Sequence, residues 1–257
     1  MGAFNCARTL RACVSSIQAQ TFPDWEFIIC NDSSSDDTKD VIVSIANEDK
    51  RIKLIENSHN RGLAHCLNHC LEYAQGEYIA RMDADDISLP YRFAIQVNYL
   101  DSNPDIDVVA GGVILYDDSG DKKKIFNPEN PTARLMTMRI PFFHPTIMMR
   151  KTAYDRLSGY TDLPRTRRGQ DMDLWYRFFA AGMKGYNLQT AVLKYHDGIG
   201  DVKKKKSLKL AWQQTLTKLI GFKMNNFPFY LYPYAFIPLV SCILPNRLVY
   251  FIHNHIN

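Results

Sequence analysis

Arg81-Met82-Asp83-Ala84-Asp85-Asp86 follows directly on the apolar run Tyr78-Ile79-Ala80, so three carboxylates within four residues fall where a strand should end. In an open α/β sheet, ligands bind at the carboxyl ends of strands. Carboxylates this crowded need partners or a metal wherever water is excluded. A hard divalent cation with phosphate oxygens would neutralise them. A solvated charged turn is the plain alternative for any lone Asp-x-Asp, so the rest of the chain must decide.

Working outward, short apolar runs alternate with helical patterns. Glu26 to Cys30 reads as a buried strand, and Asp36 to Asn47 as a helix with Ser35 as N-cap and acids in its first turn. Lys53 to Glu56 is a short strand, and Leu63 to Ala74 a helix closed by Gly76. Tyr78 to Met82 is the next strand. A helix starts at Leu89-Pro90 and runs to Asn103-Pro104, and Asp107 to Ala110 is a strand again. This alternation predicts a mostly parallel sheet covered by helices. Further on, Thr146 to Met149 reads as a strand, Lys151 to Leu157 and Asp171 to Ala181 as helices, and Ala191 to Tyr195 as the last strand.

The order matters because a second acidic cluster, Asn31-Asp32-Ser33-Ser34-Ser35-Asp36-Asp37-Thr38, directly follows the strand ending at Cys30. If the two strands are neighbours, both clusters face one crevice, with polar groups for a base or ribose and carboxylates for a metal on a diphosphate. A third cluster, Gly169-Gln170-Asp171-Met172-Asp173-Leu174-Trp175, opens a helix, where free backbone N–H groups favour a carboxylate. Asp171 alone could equally be a structural cap. His196 ends the last apolar run, a place where a metal ligand can sit.

At 257 residues, with 46% hydrophobic and 23% charged residues, the chain can bury a sizeable core as a soluble protein. A net charge of +4 gives no reason to expect a nucleic-acid partner. The six cysteines show no spacing of a secreted disulfide framework and read as reduced thiols of a cytosolic protein. No signal peptide opens the chain. His65-Cys66-Leu67-Asn68-His69-Cys70 contains zinc-competent residues, but its two i, i+4 pairs lie about 100° apart around a helix and do not converge on one ion. Lys122-Lys123-Lys124 reads as a solvated loop.

The C-terminal 203–257 differs in kind and is taken as a basic, apolar extension of a domain spanning 1–202. It opens with Lys203-Lys204-Lys205-Lys206. Ser207 to Met224 places Leu208, Trp212, Leu216, Leu219 and Ile220 on one face of an amphipathic helix. Phe227 to Leu244 has no charged residue but carries Pro228, Pro233 and Pro238, which argue against a straight membrane span. Docking on the bilayer interface and packing on the domain's own surface are both open to it.

Over roughly residues 1–200 the chain resembles the family 2 glycosyltransferases, which have the GT-A fold. The resemblance rests on ordered motifs: Phe4-Asn5, Gln20-Thr21-Phe22, Asn31 to Thr38, Asn60-Arg61-Gly62-Leu63, Gly76-Glu77-Tyr78-Ile79, Asp83-Ala84-Asp85-Asp86 and Gln170 to Trp175. It implies that Asp32 binds the nucleobase, Asp83 the ribose or sugar of the donor, and Asp85 the metal, Mn²⁺ or Mg²⁺. It implies Asp171 as catalytic base and, more loosely, His196 as a further metal ligand. The implied activity is inverting transfer from a nucleotide-sugar, a UDP-sugar, to a growing lipid-linked bacterial glycan of the capsule or O-antigen kind. Its setting would be the inner face of the cytoplasmic membrane. Three departures stand out. The first strand is missing or shortened to what precedes Phe4-Asn5, Gln170 stands where the family often has Glu, and Leu67 stands where it often has Arg. Two other readings remain open: a sugar-nucleotide nucleotidyltransferase, and a truncated, non-catalytic remnant that binds partners.

Overall fold

The apolar runs on either side of the first acidic cluster fold as the parallel strands β2 (Phe27–Asn31) and β3 (Ile52–Glu56), with the short β1 (Gly2–Ala3) on the other side of β2. A computed structural model of the chain describes residues 1–117, 119–196 and 207–244, the side chain of Ile243 excepted. Helices α1 (Ala7–Gln18), α2 (Thr38–Glu48) and α3 (Leu63–Tyr73) connect and cover these strands. Ser35 does not cap α2. Its hydroxyl donates to Asn5 Oδ1, while the Asp36 carboxylate accepts the N–H groups of Thr38 (3.0 Å) and Ala7 (3.2 Å). A carboxylate shared between the starts of two helices ties the Phe4-Asn5 segment to the Asp32 loop.

A second, six-stranded sheet begins with β4 (Tyr78–Ala80) and β5 (Ile87–Ser88), which flank the acidic turn. After α4 (Arg92–Ser102) come β6 (Val108–Asp117) and its hairpin partner β7 (Gly120–Ile125). Next are β8 (Met148–Arg150), α5 (Lys151–Leu157), α6 (Gln170–Ala180) and β9 (Gly185–His196). The order is β4-β8-β6-β9-β5, with β7 paired to β6. β6 and β9 run parallel, whereas β8 is antiparallel to both β4 and β6. The sheet is therefore more mixed than the βα alternation alone indicates, because β8 returns through the irregular stretch after β7 rather than through a crossover helix. Lys122 to Lys124 is not a loop but part of the exposed strand β7.

The first strand is indeed short. β1 pairs with β2 only at Cys30 and Asn31. Below that point β2 and β4 are not hydrogen-bonded neighbours. They flank a slot lined by Phe27, Ala80, Arg81 and Met82 and open towards both layers of helices. Across it, the buried Arg92 ties the chain after β4 to the chain before β8, donating from Nη2 to the carbonyls of Arg81 (2.8 Å) and Ile147 (3.1 Å). Gln96 accepts from Arg92 Nε (3.0 Å) and donates to Thr146 O (2.7 Å), so α4 grips the base of the acidic turn.

Two large apolar clusters fill the layers, with a smaller one of Ile28, Cys30, Cys66 and Cys70 between β2 and α3. One joins α1, α2 and α4 to the sheets through Leu10, Ile29, Ile42 and Leu100. The other gathers Phe142, Trp175, Tyr176 and Phe178 under α5 and α6. The helix α7 (Leu208–Met224) docks on α6, but turned so that three of the five residues of its expected apolar face point outward, while Leu216 is half-buried and Leu219 packs on the second cluster. Ala211, Thr215, Lys218, Gly221 and Phe222 face inward, while Leu208, Trp212 and Ile220 are exposed. Close approach explains the choice. A Cβ on Gly221 would lie 2.2 Å from the Tyr176 ring, so only the small-residue face lets the two helices meet at this distance. Residues Phe229–Phe236 form a 3₁₀ turn and Ile237–Ile243 a short helix, α8. Leu231 and Ala235 are buried, Phe229 and Tyr230 exposed. No helix among the described residues is long and apolar enough to cross a membrane. Lys203 to Lys206, and with them the expected boundary at 202, lie outside the described residues.

Candidate functional site

The acidic turn between β4 and β5 brings Asp83, Asp85 and Asp86 together, with one carboxylate oxygen from each within 4.8 Å of the others. Among the described residues they are the only such group of acids, histidines or cysteines. Asp86 is buried, and its Oδ2 has no hydrogen-bond partner while Oδ1 accepts the N–H of His196 (3.3 Å). Burial, reinforced by the charges of Asp83 and Asp85, pushes the Asp86 carboxyl up to about 8. Like charges packed this closely with an orphaned oxygen suit a divalent cation. Arg81, itself buried, ion-pairs with Asp83 from the foot of the turn. His196 reaches the cluster at the end of β9 through its backbone. Its ring lies edge-on to Tyr116, whose hydroxyl donates to Asp85 O (3.1 Å).

Asp32, at the end of β2, is buried but not idle. Oδ1 accepts from Asn57 Nδ2 (2.8 Å) and Arg61 N (2.9 Å), and Oδ2 from Gly62 N (2.8 Å). Burial alone would raise its pKa, but these donors outweigh it and hold the carboxyl below its ordinary range. The motif Asn60-Arg61-Gly62 is thus a loop folded around Asp32, with Gly62 at φ 89°, a conformation that favours glycine. Leu67 is buried in the second apolar cluster, and its neighbour Asn68 clamps both backbone groups of Tyr160 (2.7 and 2.8 Å).

Asp171 and Asp173 start α6 with opposite fates. Asp173 is buried and bound by Arg165 (2.6 Å), Arg177 (2.8 Å) and the Thr161 hydroxyl, which hold its pKa down against the effect of burial. Asp171 has no ion pair among the described residues. Burial raises its pKa, opposed by the N–H of Met172 and by Arg81.

One cleft of about 690 Å³ joins these elements. Its lining includes Arg81, Asp83, His144, Arg167, Arg168 and Asp171. Across from the charged groups stand apolar residues of the second sheet and the segment before β8, among them Val113, Leu115, Ile140 and Phe143. The structure therefore brings Asp83 and Asp171 into one cavity, with Asp85 beside Asp83, and places Asp32 under the loop whose next residue, Leu63, also lines it. Sequence reading missed Arg81, His144, Arg167 and Arg168. His144 is buried and bonded to the Tyr160 hydroxyl (2.8 Å), and burial with the nearby Arg81 drives its pKa well down, so it is neutral. Arg81 was visible as part of the opening motif, but nothing in the sequence said that it lies beneath the acids rather than in solvent.

Comparison with known proteins agrees with this geometry. A family model described as glycosyl transferase family 2 matches residues 1–158. The chain is 39% identical to the putative glycosyltransferase EpsE of Bacillus subtilis, over 95% of this chain and 88% of that protein. It is 28% identical to WfaP of Escherichia coli, named as a UDP-Glc:alpha-D-GlcNAc-diphosphoundecaprenol beta-1,3-glucosyltransferase, over 94% of this chain and 93% of that one. Among solved structures, S. aureus TarS with UDP-GlcNAc superposes with a TM-score of 0.72 at 15% identity, covering 94% of this chain and 70% of that chain. The mannosyltransferase PcManGT of Pyrobaculum calidifontis, with GDP-Man and Mn2+, gives 0.67 at 17%, covering 99% and 78%. The fold they share with this chain is the GT-A fold.

Proposed function

The chain belongs to glycosyl transferase family 2, and from that premise we propose that it is an inverting, divalent-metal-dependent enzyme moving a sugar from a UDP-sugar to a lipid-linked bacterial glycan. The observation that carries this reading is the convergence of the acidic turn and Asp171 on one cleft. In the transfer, an acceptor hydroxyl oxygen attacks the anomeric carbon and its proton passes to the Asp171 carboxylate. The bond from that carbon to the diphosphate oxygen breaks, and its electron pair leaves with the nucleotide diphosphate. A base whose pKa is raised by burial is stronger than a free aspartate, which suits this step. A single carboxylate at the sugar carbon fits inversion without a covalent intermediate.

The remaining roles follow the donor outward. Asp83, oriented by Arg81, takes the ribose or sugar hydroxyls. Asp32 Oδ2 has accepted one N–H and retains a lone pair for an N–H of the base. Asp85, with Asp83 and Asp86, would hold Mn²⁺ or Mg²⁺, which when bound supplies charge stabilisation for the diphosphate; His196, whose backbone N–H meets Asp86, would need its ring to turn to join them. Names printed for similar proteins support a UDP-sugar donor and a diphosphate-lipid acceptor, and a structural neighbour was solved with Mn2+.

A peripheral place on the inner face of the cytoplasmic membrane is part of the same proposal. Residues 202–257 contain eight Lys and Arg and no acid, so the chain's net charge of +4 divides into +8 there and −4 in the remainder. The described part of the same stretch turns Leu208, Trp212, Ile220, Met224, Phe229 and Tyr230 outward, with Phe229 85% exposed. Basic and aromatic surface together suit an anionic bilayer interface. The test of the activity is nucleotide release from a panel of UDP-sugars with a lipid-linked glycan extract, with Mn²⁺, with Mg²⁺ and with chelator. UDP release that needs both metal and acceptor is expected. Full turnover in chelator would refute the metal-dependent mechanism, and no release from any sugar nucleotide would refute the donor.

A further inference from the structure

We propose that Arg167 and Arg168 form an anion site for the acceptor, gripping the phosphate through which its sugar is joined to an apolar chain. The proposal rests on the glycosyltransferase reading above and adds the chemistry of the acceptor's head. The loop between Thr161 and α6 carries three arginines with different surroundings. Arg165 is consumed by Asp173. Arg167 and Arg168 are exposed, line the cleft beside Asp171, and have no carboxylate partner among the described residues. Two guanidinium groups with no carboxylate partner among the described residues, lining one cleft, suit an oxyanion that each can hold with bidentate hydrogen bonds.

Their backbone is held from three sides, so the pair is presented rather than trailing. Thr166 is buried and donates its hydroxyl to Thr161 O (2.6 Å). Gln214 of α7 donates to Arg168 O (3.4 Å), and Thr217 of the same helix to Arg165 O (3.4 Å). On one side, Arg167 Nε lies 4.0 Å from where a Cβ on Gly62 would be, against the Asp32 loop. On the other, Asp171 follows within the same stretch of chain.

The opposite wall of the cleft says what else the anion carries. Val113, Leu115, Ile140 and Phe143 are apolar. The segment containing Ile140 continues back to Arg134, whose guanidinium donates to the hydroxyl of the exposed Tyr230 (3.2 Å). A cationic wall beside the base, facing an apolar wall that leads to the outward-turned apolar residues, fits an amphiphile whose phosphate lies one sugar away from the attacked hydroxyl. In the proposed function the donor's own diphosphate is held at the acidic turn, which leaves these arginines to the acceptor.

The probe is decyl diphosphate, titrated into the full chain already saturated with UDP and Mn²⁺. Wild type should bind it. Arg167→Gln and Arg168→Gln should each weaken binding by about tenfold or more, the scale of one lost charge-assisted hydrogen bond. Lysine at either position should restore only part of the loss, because it keeps charge without the planar fork. UDP affinity should stay within about twofold, and thermal melting should show both variants folded. The proposal is overturned if wild type does not bind decyl diphosphate, if the variants bind it equally well, or if it displaces UDP and both affinities fall together, which would place the arginines on the donor. Failure of the glycosyltransferase reading itself would show separately, as wild type that releases no nucleotide from any UDP-sugar.

Discussion

Asp171 and Asp173 sit two residues apart on one helix, and replacing each by Asn separates chemistry from stability. Asp171→Asn removes the oxygen proposed to take the acceptor proton. General-base removal costs about 10²–10⁴-fold in kcat, or roughly 2.7–5.5 kcal/mol of barrier. It should not unfold the protein. Burial raises the Asp171 pKa, so its stabilising effect is complete at low pH and is lost as pH rises through the raised folded value. An uncharged Asn avoids that loss, so at neutral pH the variant should melt at or above the wild-type temperature. The same shift predicts that wild-type kcat falls on the acid side at a pH above the range of an ordinary carboxylate.

Asp173→Asn has the opposite signature. Its carboxylate is 4% exposed and answers two arginines and a threonine. Breaking such a pair leaves two half-buried cations uncompensated, at up to about 3–5 kcal/mol, the scale for fully buried pairs, or up to roughly 6–20 °C of melting temperature for a chain of this size. Because the Asp173 pKa is lowered, its contribution is present above the unfolded pKa and lost as pH falls through the folded value, so the variant should lack that acid-side step in stability. The assay pairs UDP release at 15 °C, where both variants are folded, with thermal melting. Near-wild-type turnover in Asp171→Asn, or a matching kcat loss in folded Asp173→Asn, would refute the assignment of the base.

Asp85→Ala should abolish metal-dependent UDP release while leaving the melting curve close to wild type, since Asp85 is the exposed member of the acidic turn; activity rescued by excess Mn²⁺ would instead mark it as an auxiliary ligand. Asp32→Asn should lower both stability and UDP affinity, because an amide cannot accept all the N–H groups of Asn57, Arg61 and Gly62, and an unchanged UDP Kd by calorimetry would remove Asp32 from the donor site. Lys218 is 8% exposed and burial lowers its pKa to about 8, so stability should fall as pH drops from about 10.5 towards 8; Lys218→Met should flatten that slope in melts taken across the interval. Co-sedimentation with phosphatidylglycerol vesicles should be strong at low salt and reduced at high salt, each Lys near the surface contributing about 1 kcal/mol; Phe229→Ser with Tyr230→Ser should weaken the salt-resistant part, and a full-length chain that ignores the vesicles would remove the membrane role.

The acidic turn was legible because strand period and strand order place a carboxylate without any knowledge of its neighbours. Tyr78-Ile79-Ala80 reads as a strand, and whatever follows must sit at its carboxyl end. The same holds for Asp32 after Cys30 and for Asp171 at a helix start. What these residues touch was not legible. Asp32 is consumed by a loop some thirty residues away, and Asp173 by arginines whose approach depends on how α6 and α7 pack. The strand at β8 was legible from Thr146 to Met149 but its antiparallel direction was not, and the hairpin strand β7 was missed because Asp121 to Lys124 shows no apolar alternation and only pairing with β6 makes it a strand. No pattern in the sequence marks Arg81 and Arg92 as buried, because what holds them is backbone carbonyls for Arg92 and, for Arg81, an acid two residues on.

Helix α7 shows what periodicity can and cannot say. Of the stripe Leu208, Trp212, Leu216, Leu219 and Ile220, only Leu219 packs on the core and Leu208, Trp212 and Ile220 are exposed; a stripe has no intrinsic direction, and the helix turns Ala211, Thr215, Lys218, Gly221 and Phe222 inward. Were burial of apolar area the only demand, turning the stripe inward would gain about 25 cal/mol for each Å² removed from water. The observed orientation forgoes that gain and even buries a lysine, which is tolerable because its Nζ donates to Thr137 O (2.9 Å) and the Gly221 face meets Tyr176 closely. The same orientation places Gln214 and Thr217 on the arginine loop of the cleft. One helix thus carries the outward apolar face, steadies the loop beside Asp171, and belongs to the acid-free, strongly basic end of the chain. A bilayer against that face would bring an acceptor's lipid to the side of the cleft where Arg167 and Arg168 are proposed to hold its phosphate, so the close packing that turns these apolar residues outward would also serve the proposed membrane setting.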